Sequence, residues 1–136
     1  TRISAFTSNC TEKELIRPLL VAWGTNIRRK LDENCWIRKI EPEVKALIED
    51  GHLPIVTDVR YPNELDWIHR LGGAVVHVSR TETFPANKEE AENDPTLKSK
   101  ADVQVSWPTL KNHHDKYKEI IYPALRNIGL SLELTA

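Results

Sequence analysis

The sequence lacks several features that would place it in a specialised class of protein. It has no methionine and only two cysteines, and no apolar run approaches the ~20 residues of a membrane-spanning helix. Cys10 and Cys35 are too few for a disulfide-stabilised secreted scaffold, and the chain does not open with an apolar signal segment. We therefore expect a soluble protein in a reducing, cytoplasmic setting, with no membrane partner.

The sequence also has almost no excess charge of either sign. Its 19 Lys and Arg residues oppose 20 Asp and Glu residues, which gives a formal net charge of -1. This balance removes the bulk attraction on which non-specific DNA and RNA binders rely. No nucleic-acid partner is expected, and any anion site must be local. At 136 residues with 40% hydrophobic residues, the chain is predicted to form a single domain over 1–136.

Apolar residues at helical spacing predict two helices in the first part of the chain. The first covers about 17–31, with large apolar residues at every fourth position. The second covers about 36–48 and is closed by Gly51, a residue that commonly ends helices. The basic run at 28–30 on the first helix is most simply a solvated face.

A strand, a helix and a second strand are predicted next. Residues 53–59 and 74–78 are short and nearly all apolar, which is typical of strands buried on both faces of a parallel sheet. Pro62 can open the intervening helix and Gly72 can close it. Residues 53–80 thus form a predicted βαβ unit, which makes the fold class α/β with parallel strands.

The remaining sequence predicts a polar excursion, an edge strand and a final helix. Residues 81–100 are polar and carry two prolines, which favours a mobile segment. Residues 101–107 alternate apolar and polar side chains, as in a strand with one wet face. Apolar residues with a 3.6-residue period predict an amphipathic helix over about 112–128.

The predicted strands bring a group of charged and polar residues to one edge of the sheet. Asp58, Arg60, Tyr61 and Asn63 follow the first strand, and Arg80 follows the second. Ligands of parallel sheets bind beyond the carboxyl ends of the strands, where helix N-termini also point. Guanidinium groups bind phosphate oxygens bidentately, so the group suits a phosphorylated ligand. The alternative is a surface ion pair between Asp58 and Arg60 with no ligand.

Four stretches of the sequence resemble, in order and spacing, the second half of phage-type deoxynucleoside monophosphate kinases. They are residues 17–25 (RPLLVAWGT), 35–37 (CWI), 56–64 (VTDVRYPNE) and 72–80 (GGAVVHVSR). The resemblance extends from about Arg17 to Trp107. It implies a three-layer, parallel-sheet fold like that of P-loop kinases.

The resemblance also implies an activity and roles for individual residues. The activity is transfer of the γ-phosphoryl group of ATP to a deoxynucleoside monophosphate, with Mg²⁺ bridging the donor phosphates. The residues implied to act on the acceptor or the transferred phosphate are Asp58, Arg60 and Arg80, the last opening a lid over 81–100. The residues expected to bind substrate are Arg17, Trp36, Tyr61 and Asn63. Trp36 or Tyr61 could stack on the acceptor base, and no residue is assigned as a metal ligand.

One element of this kinase group is missing from the sequence. Such kinases begin with a strand and a G-x-x-x-x-G-K-[ST] loop that cradles the ATP phosphates. None of the five glycines is followed by Lys and then Ser or Thr. Either an N-terminal part is omitted here, which we expect, or the domain is a catalytically silent module that binds a nucleotide or protein partner. A homodimer through the last helix stays open.

Overall fold

The computed structural model describes residues 7–80, 83, 85, 88–107 and 116–129. The chain divides into two compact units, Thr1–Ile55 and Val56–Ala136. The first unit is helical, and the second combines helices with a small parallel sheet. The mixed α/β class is therefore confirmed. The single domain expected over 1–136 stays a prediction.

The first unit consists of two successive helical segments. Helix α1 (Cys10–Val21) continues as a π-helical stretch, Ala22–Arg29, and helix α2 follows (Cys35–Glu49). The side chain of Asn9 accepts hydrogen bonds from the backbone N–H groups of the first turn and fixes the start of α1. Helix formation therefore begins well before residue 17, where the sequence pattern placed it. The second helix lies where it was predicted, and Gly51 adopts a φ of 78° after it.

The apolar residues of the first helical segment are more exposed than the four-residue spacing suggests. The exposed fractions are 70% for Leu15, 70% for Leu19 and 82% for Leu31. Packing in this unit concentrates instead on the start of α2, where Ile37 is buried and Trp36 lies against the π-helical stretch at Gly24. The helical period was therefore predicted correctly, although several of its apolar residues are exposed in this unit.

The second unit is built around two parallel strands. Helix α3 (Pro62–Arg70) precedes strand β1 (Val76–Arg80), helix α4 (Lys88–Lys100), strand β2 (Val103–Trp107) and helix α5 (Lys116–Asn127). The register pairs Val76 with Val103 and Val78 with Val105. The strands are thus connected through α4, so the βαβ unit of the structure spans β1, α4 and β2 rather than 53–80.

The core of this unit lies between the sheet and α5. Val103, Val105 and Ala124 are buried together, and the partly buried residues that pack against them are Val76, Trp107, Ile120 and Ile128. Gln104 and Ser106 are exposed, which confirms the strand with one wet face. Of the predicted helix 112–128, the described part is helical from residue 116 to 127, and positions 112–115 lie outside the described residues.

Asp102 fixes the start of β2 against the residue that precedes β1. Its carboxylate accepts a hydrogen bond from the backbone N–H of Val75 at 2.7 Å and contacts Nε2 of His69 at 2.9 Å. Its own backbone N–H donates to the carbonyl of Val75 at 2.9 Å. The hydrogen bond from Val75, followed by that from His69, lowers the pKa of Asp102 below its ordinary value.

Residues 53–59 do not form the first predicted strand. They have no regular secondary structure, and Ile55 and Val56 are 79% and 37% exposed. A strand requires a neighbour to pair its backbone groups. In the described part of the chain no strand pairs with these residues, although their composition is that of a buried strand. The prediction was wrong for this reason.

The segment predicted to be a mobile lid contains a regular helix. Residues 88–100 form α4, which carries Glu89 and Glu90 in its first turn and Lys98 and Lys100 in its last. These charges complement the helix dipole and stabilise a helix with few apolar residues. The lid assignment concerns motion, and it stays a prediction. No helix in the described ranges combines the length and hydropathy that a bilayer crossing requires.

Candidate functional site

The candidate site is built on the short connection between residues 56–59 and α3. Glu64, in the first turn of α3, accepts hydrogen bonds from the backbone N–H groups of Arg60 and Tyr61, at 2.8 and 3.1 Å. Pro62 occupies the first helical position, where its lack of an N–H costs nothing. The connection therefore has a defined backbone and holds the Arg60 side chain at the helix N-terminus.

Arg60 lies between two carboxylates from different parts of the unit. Its Nε donates to Oδ1 of Asp58 at 2.6 Å, and its Nη1 forms an ion pair with Oε1 of Glu90 on α4. The hydrogen bond to Asp58 raises the pKa of Arg60, against a smaller lowering by burial. The guanidinium is therefore charged at every physiological pH, and its charge is balanced by protein groups.

Two further contacts bind α4 to the same connection. The hydroxyl of Tyr61 donates to Oε2 of Glu89 at 3.0 Å. The side-chain amide of Asn93 donates to the backbone carbonyl of Arg60 at 3.2 Å. Glu89 and Asn93 are four residues apart and lie on one face of the helix together with Glu90. The N-terminal half of α4 therefore contacts both the Arg60 side chain and the backbone beside it.

A cavity of about 230 Å³ adjoins this group at the carboxyl end of β1. Its lining includes Ser79 and Arg80 from the strand, and Glu90 and Asp94 from α4. Glu90 thus lies between the cavity and Arg60. Ligand pockets usually have volumes of at least about 300 Å³. The cavity is smaller than this.

His77 forms a second polar contact on the same side of the sheet. Its Nε2 lies 2.9 Å from Oδ1 of Asp94, and the side chain is 11% exposed. Its Nδ1 is buried and has no hydrogen-bond partner within the described part of the chain. The contact joins the middle of β1 to α4, so α4 is attached to both the sheet and the Arg60 connection.

The structure brings some of the predicted site residues together. Asp58, Arg60 and Tyr61 form one group, with Asn63 in the first turn of α3 directly after them. Arg80 lines the adjoining cavity, which meets the group at Glu90. The ion pair between Asp58 and Arg60, which was the alternative to a ligand site, is formed at 2.6 Å, and binding of a ligand by this group stays a prediction.

Two predicted substrate-binding residues lie in the first unit and have local contacts there. Arg17 forms an ion pair with Glu14 at 3.5 Å on the exposed side of α1. Trp36 donates from Nε1 to the carbonyl of Gly24 at 3.4 Å, and the ammonium of Lys39 lies 5.8 Å from its ring centroid. In these contacts Trp36 joins the two helical segments. Binding of substrate by either residue stays a prediction.

Sequence reasoning missed the residues that α4 contributes. Glu89, Glu90 and Asn93 fall in a stretch with too few apolar residues to display a helical period. The distribution of charge could have revealed this helix, because the acidic residues at 89 and 90 and the lysines at 98 and 100 match the two ends of a helix dipole. Recognising that helix would have placed positions 89, 90 and 93 on one face.

The expected phosphoryl donor, ATP with Mg²⁺, stays a prediction. Among the described residues, no three His, Cys, Asp or Glu side chains come together as ligands of one ion. The carboxylates beside Arg60 are already engaged, since Asp58 and Glu90 bind its guanidinium and Glu64 binds backbone N–H groups. Asp58 and Glu90 therefore orient the guanidinium of Arg60, and Glu64 fixes the backbone beside it.

The chain is thus an α/β protein in which Arg60, with its partners Asp58 and Glu90, lies beside the cavity at the carboxyl end of β1. Residues 1–103 match the family described as deoxynucleotide monophosphate kinase, and the chain belongs to that family. Over 96 residues it is 31% identical to an uncharacterized protein, ORF77, of Ictalurid herpesvirus 1 (strain Auburn). The match covers 70% of this chain and 42% of that protein, so the chain spans less than half the length of this relative. No solved structure matches the chain.

Proposed function

We propose that this chain carries the acceptor side of a nucleotide kinase that transfers the γ-phosphoryl group of ATP to a deoxynucleoside monophosphate. In that reaction an oxygen of the acceptor phosphate forms a bond to the γ-phosphorus, and the bond to the leaving ADP breaks. The family supports the reaction class. The observation that carries the proposal is the placement of Arg60, which lies at a helix N-terminus beside the cavity that Arg80 lines.

In this proposal Arg60 and Arg80 bind the acceptor phosphate. Two guanidinium groups supply paired N–H donors that match phosphate oxygens. Asp58 acts as a positioning residue, since its hydrogen bond to Nε orients the guanidinium of Arg60. The phosphate replaces Glu90 as the partner of Nη1. ATP and Mg²⁺ are the proposed donor and its metal, and no step assigned to the described residues involves them.

Calorimetric binding of deoxynucleoside monophosphates to the full 136-residue chain tests this assignment. Arg60→Ala should weaken binding about 10- to 100-fold, because charge-assisted hydrogen bonds contribute roughly 1.5–3 kcal/mol. Arg60→Lys should restore only part of the affinity, since an ammonium keeps the charge but loses the fork geometry. Arg70→Ala, at the other end of α3, removes the same charge and is the matched control.

Two outcomes would contradict the acceptor site. The first is wild-type affinity in Arg60→Ala. The second is a melting temperature that falls in proportion to the loss of binding, because Arg60 would then be a structural residue that pairs with Asp58 and Glu90.

A silent binding module is the second candidate function. It is favoured by the absence of a G-x-x-x-x-G-K-[ST] loop from the 136 residues. The two candidates differ in turnover. Phosphorylation of a deoxynucleoside monophosphate by ATP and Mg²⁺ with the native gene product supports the kinase. Monophosphate binding without any turnover in that product supports the module.

A further inference from the structure

One side of residues 10–31 carries a stripe of exposed apolar side chains. The segment is helical throughout, from α1 through the π-helical stretch to residue 31. The apolar stripe has a member at every fourth position, each 44–82% exposed: Leu15, Leu19, Trp23, Ile27 and Leu31. Trp36 of α2 contacts this segment at Gly24, which is not part of the stripe. The apolar stripe is therefore accessible on the first unit.

The π-helical stretch keeps the apolar stripe on one side of the segment. In an α-helix a four-residue repeat moves gradually around the axis, because one turn takes only about 3.6 residues. A π-helical turn is wider, with i→i+5 hydrogen bonds, and takes more than four residues. Along 22–29 the repeat therefore moves back in the opposite direction. The apolar stripe thus runs nearly straight from Leu15 to Leu31, as packing along a second helix requires.

Charged residues lie in a regular order on both sides of the apolar stripe. With about four residues per turn, positions 12 and 28 fall on one side of it and positions 14 and 30 on the other. One side therefore carries Glu12 near the start of the segment and Arg28 near its end. The other side carries Glu14 and Lys30 at the equivalent places. Each carboxylate has a local contact at one oxygen and a second oxygen that can accept another donor.

Two such segments complement each other when they run antiparallel. Around a twofold axis at residue 21, position 15 of one copy faces position 27 of the other, and position 19 faces position 23. Arg28 of the second copy then lies two residues, about 3 Å, from the point opposite Glu12. Lys30 of the second copy lies equally far from the point opposite Glu14. In a parallel pair, by contrast, each of these charges would meet the same charge of the other copy.

We propose that two copies of this chain pair through the apolar stripe, with residues 10–31 antiparallel. The flanking charges decide the occupant, because each side of the stripe attracts its own copy in the antiparallel orientation and repels it in the parallel one. Exposed ion pairs contribute little affinity, so the apolar stripe supplies most of it and the charges select orientation and register. The dimer is independent of the acceptor site around Arg60, which belongs to the second unit.

Sedimentation velocity of the 136-residue chain, from about 1 μM to about 300 μM, tests the dimer. The mass should rise with concentration from 15.6 kDa towards twice that value. Leu19→Gln should raise the dissociation constant at least about tenfold, because each dimer loses two leucines from its interface. Val21→Gln is the matched control, since Val21 is 46% exposed and lies on the opposite side of the helix. It should leave the dissociation constant nearly unchanged. Both variants should melt like the parent chain at the lowest concentration, because neither position is buried.

Exchange of charges between the two ends of the segment tests the orientation. Glu14→Lys and Lys30→Glu should each weaken the dimer, since like charges then meet across the interface. The double variant restores opposite charges and should return the dissociation constant to that of the parent chain. Positions 14 and 30 lie more than about 20 Å apart along one helix, so this rescue must arise between two copies.

Three results would overturn the proposal. A mass that stays at 15.6 kDa at every concentration means that the apolar stripe does not join two copies. A dimer that Leu19→Gln weakens no more than Val21→Gln uses another surface, such as the last helix. A double charge variant that dimerises as weakly as the single variants refutes the antiparallel register.

Discussion

The contact between Arg60 and Glu90 leads to a prediction about the affinity for monophosphates. Glu90 occupies Nη1 of Arg60 and lines the cavity on the other side, so in the proposed site a phosphate that binds Nη1 from the cavity replaces this carboxylate. Glu90→Gln keeps the size and the hydrogen-bonding capacity of the side chain but removes its charge. We expect the variant to bind deoxynucleoside monophosphates more tightly than the parent chain.

The size of the gain follows from Coulomb's law. Two unit charges about 5 Å apart repel by roughly 0.8 kcal/mol in water, and by more in a partly buried site. The Glu90 side chain is 22% exposed and that of Arg60 is 50% exposed, so the value for water is a lower limit. The gain should therefore be about 4- to 10-fold in affinity, and smaller at high salt. Stability should change by less than about 1 kcal/mol, because the pair is partly solvated.

The assay is calorimetric titration at two salt concentrations, with Glu89→Gln as the matched control. Glu89 is the neighbour of Glu90 on α4, and its carboxylate binds the Tyr61 hydroxyl rather than Arg60. Both variants change the net charge equally, so a difference between them isolates the competition for Arg60. Equal gains in the two variants would assign the effect to bulk charge. Weaker binding in Glu90→Gln would mean that Glu90 orients Arg60 for the ligand, which refutes the displacement argument.

Three further predictions concern the stability of the fold. Leu65→Ala, at a fully buried position, should destabilise by about 2–5 kcal/mol in urea titrations, whereas Leu15→Ala, at a position 70% exposed, should cost little. Gly73→Ala should lower the melting temperature because its methyl group would meet a side-chain methyl of α3 at 2.8 Å, whereas Gly24→Ala meets an indole carbon at 3.7 Å and should be tolerated. Folding lowers the pKa of Asp102, so the stability that its carboxylate adds to the fold is present above pH ~4 and is lost as the pH falls through the pKa of the folded state. Asp102→Asn should therefore reduce the acid dependence of stability.

Local sequence patterns correctly predicted two elements of this chain, helix α3 and strand β2. Helix α3 was predicted from Pro62 and Gly72, and it occupies residues 62–70. Strand β2 was predicted from alternation, and its buried and exposed residues alternate as expected. In both cases the information lies within a few residues, in a helix start and stop or in a two-residue period.

Residues 53–59 were predicted wrongly because a strand is defined by its partner. Their composition indicates a paired strand buried on both faces, and the backbone of the structure shows no ladder there. Composition indicates whether a segment suits a buried strand, whereas a strand is present only where its backbone hydrogen bonds are made to a neighbouring strand.

The candidate site could be predicted only in part, because some of its residues come from a helix that is distant in the sequence. Asp58, Arg60 and Arg80 follow apolar segments, and this order predicted that they lie near one another. Residues 53–59 form no strand, but Asp58 and Arg60 pair with each other, and Glu90, which contacts Arg60, lines the cavity that Arg80 also lines. Their electrostatic environment depends on Glu89 and Glu90, which approach Arg60 from a helix about 30 residues further along the chain. No local pattern around Arg60 indicates that its charge is balanced by α4.

In the proposed acceptor site a ligand phosphate and the Glu90 carboxylate compete for the same guanidinium. We therefore expect the affinity for monophosphates to depend on the contacts that attach α4, which are those of Glu89 with Tyr61, Asp94 with His77 and Asn93 with the Arg60 carbonyl.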